Sequence, residues 1–161
     1  MKIIYYSSHP QLSLNASSGP GTHIREMIHA FRQLGHEVLP VIIGDSFKVA
    51  RFDSAHHKSS KFQVADSKQS LKSILKQVIP NVLWRTLKEL KLLQFDKQAE
   101  KILREKIKQF KPDMVYERGA YLQLSGINVV SEFKIRHIVE INAPYLEEML
   151  QFEGSGTLLE R

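Results

Sequence analysis

The chain has 161 residues, a length that suits one domain, and 42% of them are hydrophobic, which is enough to form a buried core. It contains no cysteine, which excludes disulfides and thiolate metal sites, and no apolar run of roughly 18 or more residues that would span a membrane. The net charge is +6, and residues 68 to 111 carry twelve Lys or Arg against four Asp or Glu, an excess that indicates a polyanionic partner.

The first predicted element is a buried strand over residues 2 to 6. It is a short, β-rich apolar run without clean alternation, as expected of a strand that is covered on both faces. A signal peptide needs a longer apolar core than this run, which stops at Ser7. We therefore expect the protein to be cytoplasmic.

A helix is predicted after a loop rich in Ser, Asn, Gly and Pro that covers residues 7 to 21. Its apolar residues recur at spacings of three and four, at Ile24, Met27, Ile28, Phe31 and Leu34. Thr22 is the expected N-cap, and Gly35 is the residue expected to end the helix. Residues 38 to 43 form a second buried strand, so the chain begins with a βαβ unit.

The alternation continues along the chain. Residues 44 to 70 are polar and irregular, and we expect a mobile insertion there. Helical periodicity covers residues 71 to 110, divided by Pro80 and ended by Pro112. Strands are predicted over 113 to 116 and 136 to 141, with a helix over 122 to 133 and another after Pro144. This order predicts an α/β fold with a doubly wound parallel sheet, in one domain over residues 1–161.

Three loops are expected to converge on one edge of this sheet, because ligands bind at the carboxyl ends of the strands in such folds. The loops cover residues 7 to 23, 117 to 121 and 142 to 144. The candidate substrate-binding residues in or beside them are Gly19, Pro20, Gly21, Thr22, His23, Glu117, Arg118, Glu140 and Asn142.

The glycine loop before the first helix is suited to binding an anion. Glycine lets the backbone approach a ligand closely, and a helix N-terminus offers unpaired N–H groups. Residues 19 to 23 match neither the dinucleotide-binding fingerprint nor a Walker loop. A plain connection that ends in a helix cap is therefore the alternative.

The charged residues at the strand ends also allow two interpretations. Glu117 and Arg118 combine a carboxylate that can accept sugar hydroxyls with a guanidinium that can hold phosphate, or else they form an ordinary ion pair. Glu140 lies in an apolar strand, where a carboxylate needs a partner, and Arg118 is the natural one. No metal site is predicted, because the adjacent His56 and His57 lack a third ligand.

Three stretches of the chain together resemble one enzyme family. They are a lysine-led first strand followed by Gly19-Pro20-Gly21 and a helix that ends in Leu34-Gly35-His36-Glu37-Val38, then Lys111-Pro112-Asp113-Met114-Val115-Tyr116, and finally Val139-Glu140-Ile141-Asn142-Ala143-Pro144. In their order and spacing they are similar to the N-terminal, acceptor-side domain of retaining family-4 glycosyltransferases with the GT-B fold.

The resemblance implies a two-domain enzyme that moves a sugar from a nucleotide-sugar donor to an acceptor, which we expect to be a glycan or a lipid-linked molecule. It implies a Rossmann-like N-terminal domain that binds the acceptor, with its glycine loop near the donor diphosphate, and a C-terminal domain that binds the donor. The chain stops at Arg161 in what looks like the start of a helix. We therefore expect a truncated protein that lacks the donor-binding domain, holds no cofactor itself and is inactive alone.

The chain departs from the family pattern at two places. Many members have a histidine near the end of the third strand, where Tyr116 and Arg118 stand here, and His-Asp after the fourth strand, where Glu140 and Asn142 stand here. The catalytic residues therefore stay unassigned.

The basic segment is the second functional signal. Residues 74 to 95 mix apolar side chains with cations, as helices in a membrane interface do, and the candidates to face a membrane are Lys76, Trp84, Arg85, Lys88 and Lys91. The enzyme would then lie peripherally on the inner face of a membrane. A helix that packs on the sheet with a solvated basic face is the alternative.

A rival function is a non-catalytic nucleotide- or nucleic-acid-binding module that uses the basic face of residues 68–111. Aromatic residues are not interleaved there for base stacking, and no helix-turn-helix pattern appears, so nucleic acid is the less favoured partner. A regulatory or scaffold domain that only keeps the fold is the third alternative.

Overall fold

The computed structural model describes residues 1–12, 14, 18–44 and 81–142. Its elements in chain order are β1 (Lys2–Ser8), α1 (Gly19–Gln33), β2 (Glu37–Ile43), α2 (Asn81–Phe110), β3 (Met114–Arg118), α3 (Ser125–Phe133) and β4 (Arg136–Glu140). The four strands form one sheet in the order β2-β1-β3-β4, and every neighbouring pair is parallel. The described part of the chain is thus an α/β fold of the Rossmann-like kind, as predicted.

Helices cover both faces of the sheet. Alternate residues of β1, one of the two central strands, point to opposite faces and pack against different helices. Ile3 and Tyr5 pack with Ile24 and Ile28 of α1 in one apolar cluster. Ile4 and Tyr6 belong to the other cluster, together with these residues of α2 and α3: Phe95, Ala99, Leu103, Ile107, Val129 and Val130. The central strand is therefore buried from both sides, which explains why its sequence shows no polar alternation.

The ends of the elements differ from those predicted. Helix α1 begins at Gly19 with Ser18 as its N-cap, so the prediction of Thr22 as N-cap is wrong. Proline in the first turn loses no hydrogen bond, because the N–H groups there have no helical partner, and Pro20 therefore belongs to the helix. Gly35 does follow the helix end, with a positive φ of 80° that suits glycine.

The strands also extend beyond the predicted limits. β1 continues to Ser8, and β3 continues through Glu117 and Arg118 because both residues pair in register with neighbouring strands. α3 begins at Ser125 rather than at residue 122. The predicted insertion beyond Gly44, the helix before Pro80, and everything after Asn142 lie outside the described residues.

No helix in the described ranges combines the length and the apolar character needed to cross a bilayer.

Candidate functional site

The candidate site lies at the carboxyl edge of the sheet, where the connections that follow β1 and β3 run to opposite faces of the sheet. β1 leads into α1 on one face, whereas β3, its neighbour in the sheet, leads into α3 on the other face. Such a reversal opens a crevice in which α/β proteins bind ligands. Three sets of predicted residues meet this edge: the first turn of α1, the end of β3 and the end of β4.

The Glu140 carboxylate is the centre of this edge. Arg118 Nη1 donates to Glu140 Oε1 over 3.3 Å, and the Tyr116 hydroxyl donates to Glu140 Oε2 over 3.1 Å. His23 Nε2, from the first turn of α1, lies 2.7 Å from Glu140 Oε1. We call Tyr5, His23, Tyr116, Arg118 and Glu140 the Glu140 cluster. The predicted pairing of Arg118 with Glu140 is confirmed.

The contact between His23 and Glu140 is close but is not a hydrogen bond. The two atoms are at ion-pair distance, and His23 Nε2 has no hydrogen-bond partner among the described residues. The His23 side chain is 42% exposed, against 15% for Glu140. A ligand in the crevice would therefore meet the imidazole first.

Tyr5 supplies an unsatisfied hydroxyl beneath this cluster. Its side chain is fully buried, and its hydroxyl makes no well-formed hydrogen bond among the described residues, although the Arg118 guanidinium lies close enough to interact with it. Burial raises the pKa of Tyr5 well above its usual value, the Glu140 charge raises it further, and the nearby Arg118 opposes both effects. Burial and Glu140 also raise the pKa of Tyr116. Both phenols are therefore neutral at physiological pH, and the Tyr116 hydroxyl uses its proton in the bond to Glu140.

The N-terminus of α1 faces the same edge. Gly19 and Pro20 are exposed, and a Cβ at Gly19 would meet nothing within 4 Å, so the backbone there is open to a ligand. Gly21 is buried, and the Thr22 amide donates to Ser18 O over 3.0 Å, which is the first bond of the helix. The free N–H groups of the first turn thus precede Thr22.

Glu117 does not join this cluster. Because adjacent residues of a strand point to opposite faces, Glu117 turns away from Arg118 and toward the side of α2 and α3. Its Oε2 atom lies 2.7 Å from His137 Nε2, and the side chain is buried. A Cβ on Gly126 would overlap its carboxyl group, so the carboxylate fills space that only a glycine leaves free. Glu117 therefore does not share a face with Arg118, and its predicted role in substrate binding stays a prediction.

Asn142 follows β4 and is exposed. The structure records no contact of its side chain with the Glu140 cluster, so its predicted role stays a prediction.

Three residues of this edge were not predicted from the sequence. Tyr5 and Tyr116 look like core residues of apolar strands, and His137 looks like a polar residue at the start of β4. The strand period of two contains the missing signal, since Tyr116 and Arg118 stand two apart and must share a face.

The basic helix α2 fits its prediction only in part. Lys88 and Lys91 are exposed and Trp84 is half-buried, whereas Arg85 is 9% exposed and belongs to the buried polar residues. Arg85 therefore presents little of its side chain to the surface, and the membrane-facing role predicted for these residues stays a prediction. Lys76 lies outside the described residues.

Within the described part of the chain, no group of three or more His, Asp or Glu side chains is arranged to hold a metal ion. Comparison with protein-family models, with curated proteins and with solved structures gave no significant match.

Proposed function

We propose that this chain is the acceptor-side, Rossmann-like domain of a retaining glycosyltransferase of the GT-B, family-4 kind, which transfers a sugar from a nucleoside diphosphate to a hydroxyl of an acceptor. The observation that carries the proposal is the juxtaposition of the α1 N-terminus with the Glu140 cluster, through the 2.7 Å contact of His23 with Glu140. The order and spacing of the three family-like stretches support the same assignment.

The two halves of this edge suit the two chemical parts of a nucleotide sugar. A helix N-terminus with free N–H groups and exposed backbone at Gly19 favours a diphosphate. A carboxylate such as Glu140 accepts hydrogen bonds from hydroxyl groups, which sugars carry in pairs. A ligand that has only one of these parts would use only half of the edge.

Arg118 has a structural role in this proposal as well as a binding one. Glu140 neutralises its charge at 3.3 Å, so the guanidinium is not a free anion site while the ion pair persists. We assign Glu140 and Arg118 to hydroxyl recognition, and the first turn of α1 to the phosphates. The second domain of such an enzyme would supply the remaining contacts to the nucleotide and the sugar.

The test is an NMR titration of the isotope-labelled chain. Nucleoside diphosphates should shift the amide signals of Gly19 and Gly21, while nucleotide sugars should also shift those of His23, Arg118 and Glu140. Glu140→Gln should weaken nucleotide-sugar binding at least tenfold and leave nucleoside diphosphate binding nearly unchanged. Glu105→Gln, an exposed carboxylate on α2, is the matched control and should bind like the unchanged chain.

Two results would overturn the proposal. One is the absence of any shift at this edge with uridine, guanosine or adenosine diphosphate sugars at millimolar concentration. The other is a nucleotide-sugar affinity that Glu140→Gln and Glu105→Gln lower equally.

A further inference from the structure

The outer strand β4 leaves one edge of the sheet without a partner among the described strands. The order of the sheet is β2-β1-β3-β4, so β4 pairs with β3 on one side only. Its side chains are exposed on both faces of the sheet, since Ile138 is 47% exposed on one face and Val139 is 44% exposed on the other. An exposed edge strand with β-branched residues can pair with a strand of another chain.

The opposite edge strand, β2, is protected against such pairing. Most of its side chains are buried, and Pro40 in its middle has no N–H group to donate to a further strand. Proline in an edge strand is one of the ways in which proteins prevent sheets from joining edge to edge. β4 contains no proline. The two edges of the same sheet therefore differ, and β4 is the one that can accept a strand.

The backbone of β4 is oriented for this pairing at two residues. The Gly119 amide donates to Glu140 O over 3.0 Å, so the N–H and C=O groups of Glu140 point toward β3. Successive residues of a strand point these groups to opposite sides of the strand. The backbone groups of His137 and Val139 therefore point out of the sheet, and each residue offers one donor and one acceptor.

We propose that the free edge of β4 pairs antiparallel with β4 of a second copy of this chain, about a two-fold axis at Ile138. In this register His137 lies opposite Val139 of the second copy, and the two residues exchange both of their outward hydrogen bonds. Ile138 lies beside Ile138 of the second copy, which covers its exposed side chain. Arg136 lies opposite Glu140 of the second copy, so the pairing brings opposite charges together twice.

Charge complementarity selects this register. Arg136 is exposed, and it takes part in no ion pair among the described residues. The Glu140 carboxylate accepts two hydrogen bonds of the roughly four that its oxygens can accept. Arg136 of the second copy can therefore bind Glu140 without displacing a partner. If the pairing were centred on Val139 instead, Glu140 would lie opposite Ile138 of the second copy, and the opposite charges would not meet.

Other occupants fit this edge less well. The sequence from Pro144 onward carries a helical pattern rather than the pattern of a strand that could fold back onto β4. An unrelated peptide could bind the outward backbone groups, but it would need a cation and an anion at the spacing that meets Arg136 and Glu140. A second copy of β4 supplies both charges at this spacing.

The pairing has a consequence for the crevice. Arg136 of the second copy becomes a neighbour of the Glu140 cluster, so each copy contributes one cation to the candidate site of the other. The inference does not rest on the proposed function, because the sheet edge pairs in the same way whatever ligand the crevice binds.

The test is analytical ultracentrifugation of the 161-residue chain from micromolar to millimolar concentration. Two paired five-residue strands bury less than the roughly 1,200 Å² of a standard interface, so the dimer should dissociate on dilution. Val139→Pro removes one outward N–H group and leaves the bonds to β3 in place, so the dissociation constant of the dimer should rise at least tenfold. Val139→Ala keeps this N–H group and should raise the constant less than threefold.

A second pair of variants tests the charges. Arg136→Glu places like charges opposite each other and should raise the dissociation constant of the dimer at least tenfold. Lys108→Glu makes the same charge change on an exposed part of α2 and should leave the constant unchanged. Circular dichroism checks that each variant is folded.

Hydrogen exchange of the unchanged chain tests the register without any variant. The amides of Ile138 and Glu140 point toward β3 and should be protected at every protein concentration, whereas those of His137 and Val139 should become protected only as the dimer forms. The inference is overturned if the chain stays monomeric at millimolar concentration, or if His137 and Val139 are already protected in the monomer, because the chain would then cover its own edge. Dimerisation of Val139→Pro and Arg136→Glu as strong as that of their controls would overturn it as well.

Discussion

Glu117 and Glu140 lie at or next to the ends of two neighbouring strands of the sheet, but they lie on opposite faces and in different surroundings. Glu117 is 6% exposed at its side chain, is bound to His137, and occupies the space left by Gly126. Glu140 is 15% exposed, faces the half-exposed His23, and its charge acts on the buried Tyr5 hydroxyl. The first carboxylate is enclosed by the protein, and the second lies beside an imidazole ring that a ligand can reach.

This contrast shows why a carboxylate at a strand end is not by itself a binding residue. A buried charge must be matched by partners within the fold, and Glu117 has such a partner in His137. A site needs groups that are held in place and yet not fully satisfied, which describes Tyr5 and His23. The face on which a strand residue lies decides between the two outcomes.

The largest effect is expected when a side chain is added in the buried space around the Glu117 carboxylate. In Gly126→Ala, the new Cβ overlaps the Glu117 carboxyl group, so the free energy of unfolding should fall by about 3 kcal/mol. This loss exceeds the gain of about 1 kcal/mol that alanine brings to a helix. Urea denaturation measures it, and Gly19→Ala, where the new Cβ meets nothing within 4 Å, is the control that should change little. Equal stability of the two variants would contradict the enclosed placement of Glu117.

A smaller difference is expected between the two carboxylates themselves. Glu117→Gln removes the charge that faces His137 and should lower the free energy of unfolding by about 2 kcal/mol, because hydrogen bonds to charged groups are the stronger ones. Glu140→Gln keeps one acceptor oxygen, so one of the two bonds from Tyr116 and Arg118 can persist near a solvated edge, and its cost should be about 1 kcal/mol. Denaturant midpoints compare the pair. A larger loss of unfolding free energy for Glu140→Gln than for Glu117→Gln would contradict the assignment of Glu117 as the more enclosed carboxylate.

The smallest effect is expected in how the free energy of unfolding falls at high pH. It compares one tyrosine on each face of the sheet. Burial raises the pKa of Tyr6, on the side of Glu117, above the ordinary 10.0, and the pKa of Tyr116, beside Glu140, is raised as well. A raised tyrosine pKa means that the unfolded chain loses its proton first, so stability is intact below about pH 10 and falls as the pH rises above it.

Tyr6→Phe should therefore flatten the fall in unfolding free energy between about pH 10 and 11, by at most about 1.4 kcal/mol per pH unit. Tyr116→Phe should flatten it less, because Tyr116 is only half-buried. Denaturation curves at several pH values provide the slopes. If both variants keep the slope of the unchanged chain, then the buried face does not hold Tyr6 in its neutral form.

The fold could be predicted from the sequence because its signals are local. Apolar runs predicted β1 and β2, helical spacing predicted α1, and Gly35 predicted where that helix ends. The predictions differ from the structure at element ends. The sequence pattern places Pro20 in a loop, although proline fits the first turn of a helix, and it ends β3 before the charged residues Glu117 and Arg118.

The candidate site could be predicted only where a buried charge requires a partner of opposite charge. A carboxylate at Glu140 required a cation, and Arg118 was the nearest in the predicted sheet, which the 3.3 Å contact confirms. The roles of Tyr5 and His137 depend on register between strands that are far apart in the chain. The fit of Gly126 against Glu117 depends on how closely α3 approaches the sheet. Neither quantity has a local signal in the sequence.

The carboxylate of Asp96 makes the start of one helix depend on another helix. Helix α3 has nine residues, fewer than the roughly 12 that an isolated helix needs to persist in water. Its own N-cap residue, Leu124, makes no side-chain cap, and the amides of Leu124 and Ser125 bind instead to Asp96 of α2, 28 and 29 residues earlier. Helix α3 thus has its first turn capped by a side chain of another helix, so this turn is held in place only while α2 is packed against it.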